Sequence, residues 1–331
     1  MRYGIADSVI VITGASTGIG RAAALELARL RATVVLISRR PAVLQRLAAR
    51  CEQLGGRALP ISADVTDAEA MKAAARSAVD TFGKIDVWIN NAAVTLFGRL
   101  EDSPYDAYRR VIDTNFFGYV HGARAVLPYF RGQGRGTMIN VSSVTGKIAQ
   151  PYTSAYSASK FAIVGLSESL RMELADAPDI HVCTVLPASI DTPLFQHGAN
   201  YSGRAVKPME PVYSAEQVAR ALVSLVQRPR RELTVGTAGK AGLAIHAVAP
   251  GLVERIFPGH VEKTHFQERS AAPSAGNLFE PLHEYESVGG GWRVERPARS
   301  RTRLFAVVAA TLTLAAGLLL VNARRHPWLT R

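Results

Sequence analysis

Between residues 8 and 236 the chain alternates short, almost unbroken apolar runs with longer stretches in which apolar positions recur at helical spacing. The runs fall at 8–13, 33–38, 57–62, 85–90, 137–142, 180–186 and 231–236, and the helical stretches at 18–31, 41–54, 67–82, 104–131, 154–176 and 214–228. Thr33-Val34-Val35-Leu36-Ile37 and Asp86-Val87-Trp88-Ile89 lack the in–out alternation of a half-exposed strand. Strands of that kind are buried on both faces, as in a parallel sheet covered by helices. The β–α order predicts a doubly wound α/β fold with a mostly parallel, seven-stranded sheet. Right-handed crossovers then bring the C-terminal ends of the strands to one edge, where a ligand crevice forms.

The pattern changes after 236. Residues 237–260 mix Gly, Ala and Pro with an apolar stretch and predict a short helical extension able to lie against a membrane. Residues 261–303 are rich in Ser, Pro, Gly and Arg and predict a flexible basic linker. Residues 304–321 carry no charge. As a helix they would extend about 27 Å, close to the thickness of a bilayer's hydrocarbon core. Arginines flank the run on both sides, with Trp328 as an interfacial anchor. The expectation is a transmembrane helix over 304–322 that anchors the chain, with residues 1–236 as a catalytic domain facing the cytoplasm.

Charge fits that picture. The net charge is +12, and residues 293–331, with eight arginines and one glutamate, supply +7 of it. The excess lies beside an apolar run, so a membrane surface explains it better than nucleic acid, which is not expected as a partner. The only cysteines, Cys51 and Cys183, are far apart and belong to no Cys/His cluster. Neither a disulfide framework nor a metal site is expected, and a reducing compartment fits. The N-terminus leads straight into the first apolar run and does not read as a signal peptide.

Thr13-Gly14-Ala15-Ser16-Thr17-Gly18-Ile19-Gly20 joins the first strand to the first helix. Glycines there let the backbone approach a pyrophosphate, and the helix N-terminus offers free N–H groups. The second strand ends in Ser38-Arg39-Arg40. Where NAD-selective proteins place an acidic residue, this chain has Ser38 followed by two guanidinium groups, which favour a 2′-phosphate. NADP(H) is therefore expected over NAD(H).

Tyr156 and Lys160 are spaced i, i+4 near the start of a helical stretch, so phenol and ammonium share a face. A nearby cation favours the phenolate and makes tyrosine usable as an acid and base near neutrality. Ser143 follows a strand thirteen residues earlier, Asn90-Asn91-Ala92-Ala93 ends another, and Asn115 lies in the long helix 104–131. With the glycine loop, Asp64 and Pro187, these residues resemble the short-chain dehydrogenase/reductase family in order and spacing over about residues 5–236.

The resemblance implies a Rossmann-like fold and hydride transfer between a nicotinamide cofactor and a carbonyl or alcohol. Tyr156 would be the general acid/base. Lys160 would bind the nicotinamide ribose and lower the tyrosine pKa, and Ser143 would orient the substrate oxygen. Asn115 would hold a water that relays protons to Lys160. Gly14, Ser16, Thr17, Gly18, Ile19 and Gly20 would cradle the pyrophosphate. Ser38, Arg39, Arg40, Asp64 and Val65 would take the adenosine end. Asn91, Ala92 and Ala93 would pack along the cofactor, and Pro187 and Thr192 would meet its nicotinamide end. Ala93 and Ala188 stand where the family usually has glycine. The segment 190–213, with Phe195, His197 and Tyr201, reads as a mobile lid, and His197 as a surface residue. Assembly as a homodimer or homotetramer through the helices bearing Asn115 and Tyr156 is implied as well. The alternatives are an epimerase or dehydratase on the same fold, or a membrane-associated dinucleotide-binding scaffold. The membrane run associates the enzyme reading with a lipophilic substrate.

Overall fold

A computed structural model describes residues 4–293. Seven parallel strands form the central sheet: β1 (Val9–Thr13), β2 (Thr33–Ser38), β3 (Arg57–Ser62), β4 (Val87–Asn90), β5 (Gly136–Val141), β6 (Ile180–Pro187) and β7 (Glu232–Val235), in the order β7-β6-β5-β4-β1-β2-β3. The uninterrupted apolar runs have a direct cause. Ile10, Ile12, Val34 and Leu36 enter the core on one side of the sheet, and Val9, Val11, Val35 and Ile37 enter the core on the other. No position of β1 faces water, so no polar alternation is required. β3, at the edge and carrying Pro60, is more exposed, as an edge strand can be.

Strand order reverses between β1 and β4, which opens a crevice above their C-terminal ends. Helices Gly18–Arg29, Pro41–Gln53 and Ala68–Phe82 follow β1, β2 and β3. The last is capped by Asp67, whose carboxylate accepts from the N–H groups of Glu69 and Ala70, and ends at left-handed Gly83.

Three expectations need correction. The helix expected over 104–131 is two helices, Tyr105–Ile112 and Gly118–Gln133, joined by a π-turn, Asp113–Phe117. The segment 190–213, expected as a mobile lid, is held by strand pairing: Ile190–Asp191 pairs with Tyr213–Ser214, and Arg204–Val206 pairs with Phe266–Ser270. The described part of the expected linker is not free chain either. Phe266–Ser270 belongs to that small sheet, Leu278 is fully buried, and the compact unit runs to Trp292. Its Gly- and Pro-rich composition reflects a strap held by backbone hydrogen bonds rather than by regular secondary structure.

Residues 237–260, expected as a short helical extension, lie in two helices, Thr237–Val248 and Pro250–His265, the second running past residue 260 into the expected linker. The transmembrane helix expected at 304–322 lies outside the described residues, as does the linker beyond 293. Among the described residues no helix is long and apolar enough to cross a membrane.

Candidate active site

The glycine loop is clamped from behind. Thr13 Oγ1 accepts the N–H groups of Asn91 and Ala92 at 3.0 and 3.1 Å. Asn91 Nδ2 donates to the carbonyls of Thr13 and Gly14 at 3.0 and 3.2 Å. Gly14 has φ +65°, and a Cβ there would lie 2.7 Å from Ala92 Cα. A Cβ on Gly20 would lie 2.3 Å from the Gly14 carbonyl oxygen. Gly20 therefore allows the first helix to close on the loop and does not itself line the crevice.

A buried polar chain sets the helix that carries the catalytic pair. Trp88 Nε1 donates to Asn90 Oδ1, Asn90 Nδ2 to Asn140 Oδ1, and Asn140 Nδ2 to Ser167 Oγ, at 2.7, 2.9 and 2.9 Å. The missing side chain of Gly122 leaves room for it, since a Cβ would lie 2.3 Å from Asn90 Oδ1. Each member is satisfied, which lets such a chain fix one arrangement. Sequence patterning did not single out Asn140, Ser167 or Gly122; their signal is a polar or small residue at an otherwise apolar position.

Tyr156 and Lys160 lie on that helix, Ser154–Glu173. Lys160 is 1% exposed; its Nζ donates to the Val141 carbonyl at 3.0 Å and lies 5.3 Å from the centre of the Tyr156 ring. Ser143, beyond the end of β5, donates to the Pro187 carbonyl at 3.4 Å and accepts from the Thr145 N–H at 3.1 Å. The three side chains face one cavity. Their electrostatics differ from the sequence expectation. Burial pushes the Tyr156 phenol up to about 12, with Ser143 acting the other way, and pushes the Lys160 ammonium down to about 7. At Tyr156, desolvation outweighs the hydrogen bond from Ser143.

Asn115 is fully buried in the π-turn. Its Oδ1 accepts from the Val94 N–H at 2.8 Å, and its Nδ2 donates to the Val94 carbonyl and Ser159 Oγ at 2.9 and 3.1 Å. The amide is thus committed to joining the loop after β4 to the Tyr156–Lys160 helix, and the water-holding role implied by the resemblance does not rest on a free side chain.

The other end of the cavity is cationic. Asp64 Oδ1 accepts from the Thr66 N–H and hydroxyl, and Asp64 Oδ2 pairs with Arg110. Burial alone would raise this carboxyl, but hydrogen bonds from Thr66 and Arg110 hold it below the usual carboxylate range. Arg39 donates to the carbonyls of Asn277, Leu278 and Phe279. Arg40 donates to the His283 carbonyl and to Glu286. These strap contacts were not legible in the sequence. The strap also covers His197, expected at the surface. Its ring is buried, its Nε2 is 3.0 Å from the Glu284 carbonyl, and burial lowers its pKa.

One cavity of about 540 Å³ joins the two ends. Ser16, Thr17, Gly18, Ile19, Ser38, Val65, Ala92, Ala93, Pro187 and Thr192 all line it, with the catalytic trio at one end. Beyond Tyr156 the lining is mostly apolar, with Phe97, Ile148, Phe195, Met209, Val253 and Phe257, interrupted by Gln150, Glu210 and His260. His265 joins them edge-on to Phe97, and burial pushes it down to about 4, so it is a neutral ring. A dinucleotide fits the residues present. Gly14 and Gly18 add no side chain to the loop, although the Gly18 N–H is taken by the Ser287 carbonyl, and Arg40 Nε and Asn277 Oδ1, in residues lining the cationic end, are buried without hydrogen-bond partners among the described residues.

Fold and site together define a Rossmann-type dinucleotide protein with a serine–tyrosine–lysine centre for proton handling. The chain belongs to the short-chain dehydrogenase/reductase family of oxidoreductases: residues 8–202 match the family described as short chain dehydrogenase. It is 33% identical over 313 residues to the uncharacterized oxidoreductase YxnA of Bacillus subtilis, covering 92% of this chain and 88% of that protein. It is 32% identical over 283 residues to 11-beta-hydroxysteroid dehydrogenase A of Sesamum indicum, covering 80% of each. A short-chain dehydrogenase/reductase from Burkholderia phymatum in complex with NAD superposes with a TM-score of 0.68 at 25% identity, over 76% of this chain and 96% of that one. An alcohol dehydrogenase from Thermococcus sibiricus complexed with 5-hydroxy-NADP superposes with a TM-score of 0.61 at 28% identity, over 69% and 95%. A nicotinamide dinucleotide is thus the cofactor class.

Proposed function

We propose that the protein is an NADP(H)-dependent oxidoreductase that interconverts a lipophilic ketone or aldehyde with its alcohol. The observation that carries this reading is the single cavity joining Ser143, Tyr156 and Lys160 to the glycine loop and to Arg39 and Arg40. A nicotinamide dinucleotide held by these residues would supply the hydride in reduction and accept it in oxidation. Ser143 Oγ hydrogen-bonds the substrate oxygen. Tyr156 gives that oxygen a proton in reduction and removes it in oxidation. Lys160, held by the Val141 carbonyl, keeps its amine beside the Tyr156 ring. The mostly apolar wall beyond Tyr156 favours a substrate with a large hydrocarbon part. Ser38, in place of an acidic residue, and the two arginines favour NADP(H). NADPH oxidation should accompany, mole for mole, formation of an alcohol from at least one member of a panel of lipophilic carbonyls. A panel without turnover under either cofactor would count against the reading.

Membrane attachment belongs to the same proposal. Ile245, Val248, Leu252 and Ile256 leave an apolar face exposed on the two helices that wall the substrate end, and the uncharged run 304–321 follows in the chain. Cell fractionation should find the full chain with membranes and a chain lacking 304–331 largely released. Equal distribution of the two would remove the anchor from the account.

A further inference from the structure

The strap crosses the cationic end of the cavity with its backbone carbonyls and one carboxylate facing the arginines. Asn277, Pro281 and Leu282 line the same cavity as Ser38, Arg39 and Asp64. The Ser287 carbonyl accepts the Gly18 N–H at 3.1 Å, and Asp191 Oδ1 accepts the N–H groups of Gly290 and Trp292 at 2.8 and 3.0 Å. The strap is therefore fixed at Gly18 of the glycine loop and at Asp191.

It treats the two arginines differently. The hydrogen-bond acceptors Arg39 meets on the strap are all carbonyls, at 2.5 to 3.1 Å, while the Glu280 carboxylate acts on it only from beyond ion-pair distance. Carbonyls orient a guanidinium without neutralising it. The nearest carboxylate to it, Asp64 Oδ2, is 3.8 Å away and already paired with Arg110. Arg40 instead meets an anion: Glu286 Oε1 is 3.3 Å from its Nη2, while Glu286 Oε2 binds Arg46. The Arg40 side chain is 9% exposed, so this pairing is less screened by water than a surface ion pair. A carboxylate and a phosphate monoester compete for the same donors. Arg40 Nε, buried without a partner among the described residues, shows that Glu286 does not satisfy the whole guanidinium.

We propose that the strap forms the outer wall of the adenosine end of the dinucleotide site, and that Glu286 is a specificity-determining residue that weakens NADP(H) relative to NAD(H) by occupying Arg40. Arg39, oriented by the strap carbonyls, is then the main reader of a 2′-phosphate, and Arg40 is held in reserve. This inference rests on the reading that the arginines after β2 meet the cofactor's phosphate, and the two can fail separately.

The test uses the full chain and measures dissociation constants for NADPH and NADH directly, by nicotinamide fluorescence titration without substrate. Glu286→Gln keeps the side-chain shape and removes only the charge. It should tighten NADPH by roughly three- to tenfold and leave NADH within about twofold. Amide hydrogen exchange across 277–292 in this variant should match the wild type, showing the strap still in place. No gain for NADPH, or equal changes for both cofactors, would overturn the role given to Glu286; equal weakening with faster exchange would make it a simple latch. Arg39→Ala, run alongside, should weaken NADPH at least about tenfold and spare NADH. An Arg39→Ala variant with unchanged NADPH affinity would sink the underlying cofactor reading instead.

Discussion

Lys160 buries its amine where the Val141 carbonyl is the hydrogen-bond acceptor found for it, and this has a thermodynamic consequence. Its pKa falls from 10.5 to about 7 on folding through desolvation. Between those values the unfolded chain binds more protons than the folded one, so stability rises with pH across that window. The penalty is fully present below about pH 7 and fades as the pH approaches 10.5. Lys160→Met should therefore raise the Tm of the cofactor-free protein at pH 7, by less at about pH 9.5, with turnover lost. A melting series showing the gain growing with pH would contradict this. The i, i+4 spacing made the juxtaposition of the two side chains legible in the sequence. Their charge states were not, because burial is a property of the fold and here exceeds the pairwise effect that spacing alone suggests.

The seven strands and six main helical stretches were legible because parallel strands buried on both faces leave unbroken apolar runs, and amphipathic helices leave a 3.6-residue period. The π-turn at Asn115 was not. One extra residue in a turn shifts that period too little to be read within a long helical stretch. The glycine loop was legible as a motif, but the separate jobs of its glycines were not: Gly14 admits Ala92, whereas Gly20 admits the loop's own backbone. Gly20→Ala should push the first helix off the loop and weaken dinucleotide binding at least about tenfold, with a lower Tm. Fluorescence titration with NADPH and NADH checks it, and wild-type affinity for both would show that the loop yields more easily than the contact implies.

Across the whole molecule, the strap was the feature least legible in the sequence. It is held by carbonyls, the Glu286 carboxylate and the N–H groups of Gly290 and Trp292 meeting Arg39, Arg40, Gly18 and Asp191, distant residues that no local pattern connects. Leu278, Phe279 and Trp292 were the faint signal, apolar residues in a run that otherwise reads as linker. We also propose self-association through the Tyr156 helix and the π-turn bearing Asn115 with its flanking helices, where Phe117, Phe161 and Met172 are exposed. Phe161→Glu should shift sedimentation toward a smaller species, and an unchanged profile would place the interface elsewhere. The account as a whole turns on Tyr156 as the group that moves the proton. The most direct measurement compares wild type and Tyr156→Phe for NADPH affinity and for single-turnover NADPH oxidation with a carbonyl substrate. The account predicts affinity within about twofold and a rate lower by about a thousandfold or more. A variant that turns over at the wild-type rate would contradict it.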